Sequence, residues 1–341
     1  MSKIDPKAIA AKLEDVYLNS PIERIDVEQA RIIIFSDQHK GQGDGADDFV
    51  GCKRAYHAAL GHYFEQQHRL IVLGDVEELW ECRPSAVVRH YAETLALEKR
   101  FHAENRYTRF WGNHDDEWRE SASVAEYLGP IFGTLRVLEG LRLEVTRGAE
   151  AIGTLFLVHG HQGTFDSDRF GKLSRLFVRL IWRNIQRITR WRINTPATSF
   201  ELREAHDRAM YDWAASHDKL VLVAGHTHRP VFTSRTHAQS ILEQMEALER
   251  EPTDDESRRV ERLAALQAEL EWARAGNGGG TIPGVKPCYF NSGCCCFDDG
   301  DVTGLEIIQG HIRLVRWPDD EGRPRPKILA SADLAEVFRR N

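Results

Sequence analysis

The stretch "RIIIFSDQHKG", residues 31–41, sets three isoleucines and a phenylalanine directly before Ser36, Asp37, Gln38 and His39. A short β-branched run of this kind predicts a buried strand. It delivers a carboxylate and an imidazole two residues apart where it ends, and the same design recurs along the chain. After "RLIVLG" comes Asp75, and after "YTRFWG" come Asn113, His114 and Asp115. After "TLFLV" comes "HGH", His159 to His161, and after "KLVLVAG" comes "HTH", His226 to His228. Gly74, Gly112 and Gly225 precede three of these sets, where a residue without a side chain lets the backbone turn sharply and approach a ligand.

Taken singly, each set has a plain structural reading. Asp-x-His fits a capped strand end, and "GNHD" fits a turn in which Asn and Asp tolerate left-handed geometry. Five such ends in one chain point instead to a shared site, because α/β sheets gather ligands outside the carboxyl ends of their strands. Carboxylate, imidazole and amide oxygen together suit Mn, Fe or Zn, whereas Mg prefers oxygens and water. Seven side chains exceed one structural zinc, and no thiolates join them. Two ions sharing a bridging carboxylate fit the count. Such a pair, about 3.5–4 Å apart, serves in-line displacement at phosphorus.

The wider pattern is α/β. Further strands are expected at Arg69–Leu73, Tyr107–Trp111, Leu141–Thr146, Thr154–Val158, Leu220–Ala224, Cys288–Asn291, Gly304–Ile308 and His311–Trp317. Helices are expected at Asp47–His68 and Pro84–Asn105, and at the start, with Asp5 as N-cap and Pro6 in the first turn. In "GQGDGADDF" the reading is an active-site loop in which Asp47 caps the next helix. Closer strand spacing from Leu141 onward implies a second, more antiparallel sheet. "PDDEGRPRP" is expected to be a polar linker to a short terminal helix.

The motifs "DQH", "GD", "GNHD", "HGH" and "GHTH", in order across residues 37–228, resemble the calcineurin-like metallophosphoesterase superfamily. "YFNSGC" is similar to the strand that closes that family's active-site sheet. The resemblance implies an α/β fold, a sandwich of two mixed β-sheets flanked by helices, spanning residues 1–341 as one domain with helical insertions. It implies a first metal held by Asp37, His39, Asp75 and His228, with Asp75 bridging to a second completed by Asn113, His159 and His226. His114 would stabilise the transition state or protonate the leaving oxygen, and Asp115 would orient His114. His161 is left between a substrate-facing and a structural role. The implied cofactors are two divalent metal ions, manganese foremost, with iron or zinc as alternatives. The implied reaction is hydrolysis of a phosphate ester or pyrophosphate through a metal-bound hydroxide; a nuclease or a non-catalytic metal-binding scaffold are the rivals. "GHTHRP", "GDVEELWE" and the helical stretch after "HGH" resemble the UDP-2,3-diacylglucosamine pyrophosphatase branch, which typically has Arg where His114 stands and Asp where His161 stands.

Two insertions interrupt the strands. Residues 165–215 form an expected helical cap in which Phe170, Leu173, Phe177, Leu180, Ile181, Ile188 and Trp191 share one face. Lys172, Arg175, Arg179, Arg183 and Arg190 share the other, so 169–192 reads first as a cap helix with a solvated cationic face and next as a contact for a membrane surface or an acylated, phosphorylated substrate. The phosphorylated substrate itself is expected to be lipid-linked or a nucleotide. Residues 238–275 form an expected helical hairpin, a candidate homo-oligomer arm, with Thr253 and Glu256 at capping-box spacing. In its second arm Val260, Leu263, Leu266 and Leu270 recur at near-helical spacing, and "GNGGGTIPG" returns the chain to the core. With 341 residues, 42% of them hydrophobic, the chain can bury a large core, and its net charge of −7 argues against nucleic acid as the partner. Six cysteines, three of them consecutive at 294–296 and expected to be buried, are no disulfide framework. With no apolar leader at the start, the expected location is the cytoplasm, with peripheral contact at the membrane.

Overall fold

The computed structural model describes residues 4–45, 47–163, 200–250, 256–277, 282, 285–319 and 322–341. Among them the strands are β1 (Ile22–Asp26), β2 (Arg31–Phe35), β3 (Arg69–Leu73), β4 (Tyr107–Phe110), β5 (Val137–Leu138), β6 (Gly140–Arg147) and β7 (Glu150–Val158). Then come β8 (Leu220–Ala224), β9 (Val231–Phe232), β10 (Arg235–Thr236), β11 (Tyr289–Asn291), β12 (Val302–Ile308), β13 (His311–Trp317) and β14 (Lys327–Asp333). They form two seven-stranded sheets, β1-β6-β7-β8-β11-β9-β10 and β14-β13-β12-β2-β3-β4-β5. Each sheet mixes parallel and antiparallel pairs, so the architecture is an α/β sandwich of two mixed sheets flanked by helices.

Strand alternation explains the layers. Ile32 and Ile34 pack between the sheets against Leu143, Leu157 and Val223. Ile33 and Phe35 turn outward onto Tyr56 and Tyr63 of the helix Lys53–Glu65. With both faces covered, β2 runs apolar without a break, as parallel strands do. Each such isoleucine contributes about 1.5–3 kcal/mol on burial. The opposite outer face, with Phe156, Val158 and Leu222, packs on the helices Pro6–Asn19 and Phe200–Ala215.

Several expectations are corrected. The antiparallel C-terminal strands β12, β13 and β14 join the sheet of β2 rather than a separate one. The residues after the "PDDEGRPRP" stretch form strand β14 before the terminal helix Leu334–Arg339. Tyr91 divides the second expected helix into Pro84–His90 and Ala92–Ala103, and Trp111 lies just past its strand. Asp47 caps no helix: it accepts from Gly43 N at 2.7 Å, Phe49 N at 3.3 Å and the Tyr91 hydroxyl at 2.7 Å. Asp5 does cap the first helix, accepting from Lys7 N and Ala8 N.

Of the insertions, residues 164–199 and with them the basic face lie outside the described residues, as do Thr253 and most of "GNGGGTIPG". The helices His237–Arg250 and Glu256–Asn277 pack together through Ala238, Ile241, Leu270 and Ala273. Val260 is exposed rather than part of that seam. No helix among the described residues is long and apolar enough to cross a membrane.

Candidate metal centre

β2, β3 and β4 deliver Asp37, His39, Asp75, Asn113 and His114 from one sheet; β7 and β8 deliver His159, His226 and His228 from the other. The turns that follow these strands are strained. Asp37 (φ 52°), His39 (φ 50°), Asp75 (φ 49°), His226 (φ 69°) and His228 (φ 55°) are all left-handed. For a residue with a side chain this costs about 1–2 kcal/mol each, and such outliers collect at functional sites.

Hydrogen bonds hold the strain in place. Both Asp37 carboxylate oxygens accept from His226 N, at 2.9 and 3.1 Å, which ties the two sheets together. Ser36 Oγ donates to the same carboxylate. Asp75 Oδ1 accepts from His114 N at 2.8 Å. Gly112 and Gly225 are needed for close approach: an added Cβ would fall 2.2 Å from Asp75 Oδ1 and 2.5 Å from Asp37 Oδ2.

Six of the seven sequence-predicted ligands, Asp37, His39, Asp75, His159, His226 and His228, come together. His228 Nε2 lies 3.3 Å from Asp37 Oδ1 and 3.1 Å from His39 Nε2. Asp75 Oδ2 stands between His39 Nε2, at 3.8 Å, and His159 Nε2, at 3.1 Å. Two groups share Asp75, namely His39–Asp75–His114 and Asp75–His159–His226, with ligand atoms within 4.8 Å of one another in each. Asn113 Oδ1 and His226 Nε2 are buried without a hydrogen-bond partner. His159 Nδ1 donates to Leu73 O at 2.8 Å, which turns Nε2 into the cluster. Buried polar atoms are normally satisfied, so this donor set fits divalent metal.

The electrostatics agree. Burial opposes ionisation of Asp75, yet His159, His114 and His39 hold its carboxyl well below the usual range. Asp37 is likewise lowered, His159 and His228 outweighing burial. Burial disfavours the charged form of His39, but Glu78, Asp75 and Asp37 raise it to about 10. Against burial, Asp75 and Asp37 raise His159 to about 9. Burial, together with His206 and His159, pushes His226 far down. In the metal-free cluster the raised His39 and His159 balance the lowered Asp37 and Asp75.

His114 sits at its rim. Its Nδ1 lies 2.6 Å from Glu78 Oε2, and Trp80 stacks on the ring at 4.0 Å. Glu78 Oε2 also lies 3.3 Å from His39 Nδ1. Burial works against the Glu78 carboxylate, but His114 and His39 lower it to about 2. Glu78 therefore takes the orienting position expected of Asp115. Asp115 instead accepts Gly112 N at 2.6 Å and Val76 N at 2.9 Å, pinning two ligand loops to each other. His161 is buried against Trp111, at 4.9 Å, and burial with His159 lowers it to about 3. Gln38, between two of the candidate ligands, is fully buried.

Sequence reasoning missed Glu78, His206 and Cys296. A second acid three residues past Asp75 was the available signal for Glu78. Cys294 and Cys295 are buried as expected, but Cys296 is half-buried with Sγ 3.6 Å from His228 Nδ1, so a thiol does border the site.

A two-sheet sandwich that collects Asp, His and Asn at its strand ends defines a metal-dependent class of protein. The family model for calcineurin-like phosphoesterases matches residues 30–230, more than half of the chain, and the chain belongs to that family. It is, in that general sense, a metal-dependent phosphoester hydrolase. No curated protein matches the chain.

Proposed function

We propose that the protein hydrolyses a phosphate ester or pyrophosphate with two divalent ions, manganese foremost, held by Asp37, His39, Asp75, Asn113, His159, His226 and His228. The carrying observation is the position of Asp75 between two groups, one of which includes His159 and the orphaned His226 Nε2. Bound there, two ions would supply Lewis acidity and lower the pKa of a coordinated water towards about 7. His39 and His159 would give up protons on loading, so affinity rises with pH. His114, its pKa raised by Glu78 and Asp75 against burial, would donate the proton to the leaving oxygen. Asp115 keeps the loop of Asn113 and His114 fixed through Gly112 N.

The motif resemblance favours a phosphate carried on a lipid or nucleotide. Six free cysteines support a reducing compartment, the cytoplasm. Leu242 and Val260, exposed on the two hairpin helices, support a homo-oligomer arm there. The test is a panel of aryl monoester, aryl diester, UDP-linked lipid and DNA substrates with added Mn. Asp75→Asn is expected to abolish both metal content and hydrolysis. His114→Ala is expected to lower turnover by roughly 10²–10⁴-fold with metal still bound. Wild-type protein that binds no transition metal and cleaves none of the panel would overturn the reading in favour of a scaffold.

A further inference from the structure

In "HTHR", residues 226–229, Thr227 and Arg229 alternate with the two candidate ligands, and the loop is thereby sorted into two faces. His226 and His228 turn toward the metal cluster, while Thr227 and Arg229 turn onto one carboxylate. That carboxylate is Asp207, fully buried on the helix Phe200–Ala215. Its Oδ1 accepts from Thr227 Oγ1 at 3.1 Å and from the Tyr289 hydroxyl at 2.8 Å. Its Oδ2 accepts from Arg229 Nε at 3.0 Å and also from Arg229 Nη2. From β11, Asn291 Nδ2 donates to Gly225 O at 2.6 Å and to Thr227 Oγ1 at 3.2 Å. One turn of the same helix also reaches the other histidine loop, where His206 Nε2 lies 2.8 Å from Gly160 O.

A buried ion pair is weak evidence for stability, because apolar residues of equal volume often serve as well. This pair has a second task at hand. It faces a loop in which His226 and His228 are both left-handed, a conformation that must be over-determined by its surroundings to persist. We propose that Asp207 is a positioning residue of the metal centre: through Thr227 and Arg229 it holds loop 225–229 so that His226 and His228 project into the cluster together. The proposal rests on the dimetal reading above. Since His228 is assigned to the first ion and His226 to the second, loss of Asp207 weakens both.

The experiment titrates the metal-free full chain with Mn²⁺, reading free Mn²⁺ by electron paramagnetic resonance. Wild type is expected to take up two ions per chain. Asp207→Asn, which keeps the shape and removes the charge, is expected to bind both about 10–100-fold more weakly, as partners of metal ligands do. Its kcat should recover at saturating Mn²⁺ while the Mn²⁺ concentration for half-activity shifts by the same factor. Thr227→Val should weaken Mn²⁺ several-fold and Thr227→Ser should restore it, a pattern general destabilisation does not produce. Folded Asp207→Asn protein that binds Mn²⁺ as wild type does, whatever its melting temperature, overturns the proposal. Should Asp207→Asn not fold, Thr227→Val with unchanged Mn²⁺ affinity overturns it equally. Wild type taking up no Mn²⁺ at all would instead remove the metal-centre reading beneath it.

Discussion

At the scale of single residues, Glu78 links two parts of the chemistry. One carboxylate oxygen lies within reach of Nδ1 of both His39 and His114. It steadies a candidate ligand and raises the proton affinity of the rim histidine. For a general acid, activity falls as pH rises through its pKa, because the proton is lost. Removing the Glu78 charge lowers the His114 pKa, so the alkaline limb of the pH–rate profile should move to lower pH in Glu78→Gln. Turnover should drop by roughly 10–100-fold. A pH–rate profile for Glu78→Gln with an unmoved alkaline limb would show that Glu78 does not set the proton on His114. Asp37, His39 and Asp75 were legible because each stands where an apolar run stops. The Glu78–His114 contact was not, since it joins residues 36 apart and nothing in "EE" says which acid turns inward.

Elements explain why these ends can converge. β2, β3 and β4 are parallel, as are β7, β8 and β11, so their carboxyl ends point the same way within each sheet. Such strands were easy to read from sequence, because burial on both faces leaves an unbroken apolar run. β9 and β10, of two residues each, were not, as no period fits in so short a segment. β14, "KILASAD", shows mixed exposure behind a polar stretch and hid for that reason. Gly112 marks where close packing of elements becomes chemistry. A Cβ there would meet Asp75 Oδ1 at 2.2 Å and Asp75 N at 2.7 Å, and the backbone atom cannot rotate away. Gly112→Ala should cost about 1–3 kcal/mol in overpacking. It should also displace Asp75 and lower metal content. Metal analysis and thermal melts on the same sample test this, and full metal occupancy in the variant would contradict it.

The whole molecule divides the candidate site between its two sheets. Five of the strand-end groups come from the sheet of β2; His159, His226 and His228 come from the sheet of β7. Between the sheets lies a core that includes Ile34, Leu73, Leu157 and Val223, which sets their separation. In the metal-free chain, carboxylates and protonated imidazoles bridge the same gap, as His159 Nε2 and Asp75 Oδ2 do at 3.1 Å. Divalent ions bound there would join the sheets more strongly than those imidazoles, and they would bind the folded state in preference to the unfolded one. Free Mn²⁺ at 100 times its Kd should then add about 2.7 kcal/mol of stability for each ion bound. For a chain of this size that raises Tm by roughly 4 °C per ion. The same addition to Asp75→Asn should leave Tm unmoved, because the proposed ions would lose the ligand they share. Chelation should return wild type to its starting Tm. If Asp75→Asn gained as much from Mn²⁺ as wild type, the stabilising ions would be bound elsewhere, and Asp75 would not be the residue through which the two sheets share metal.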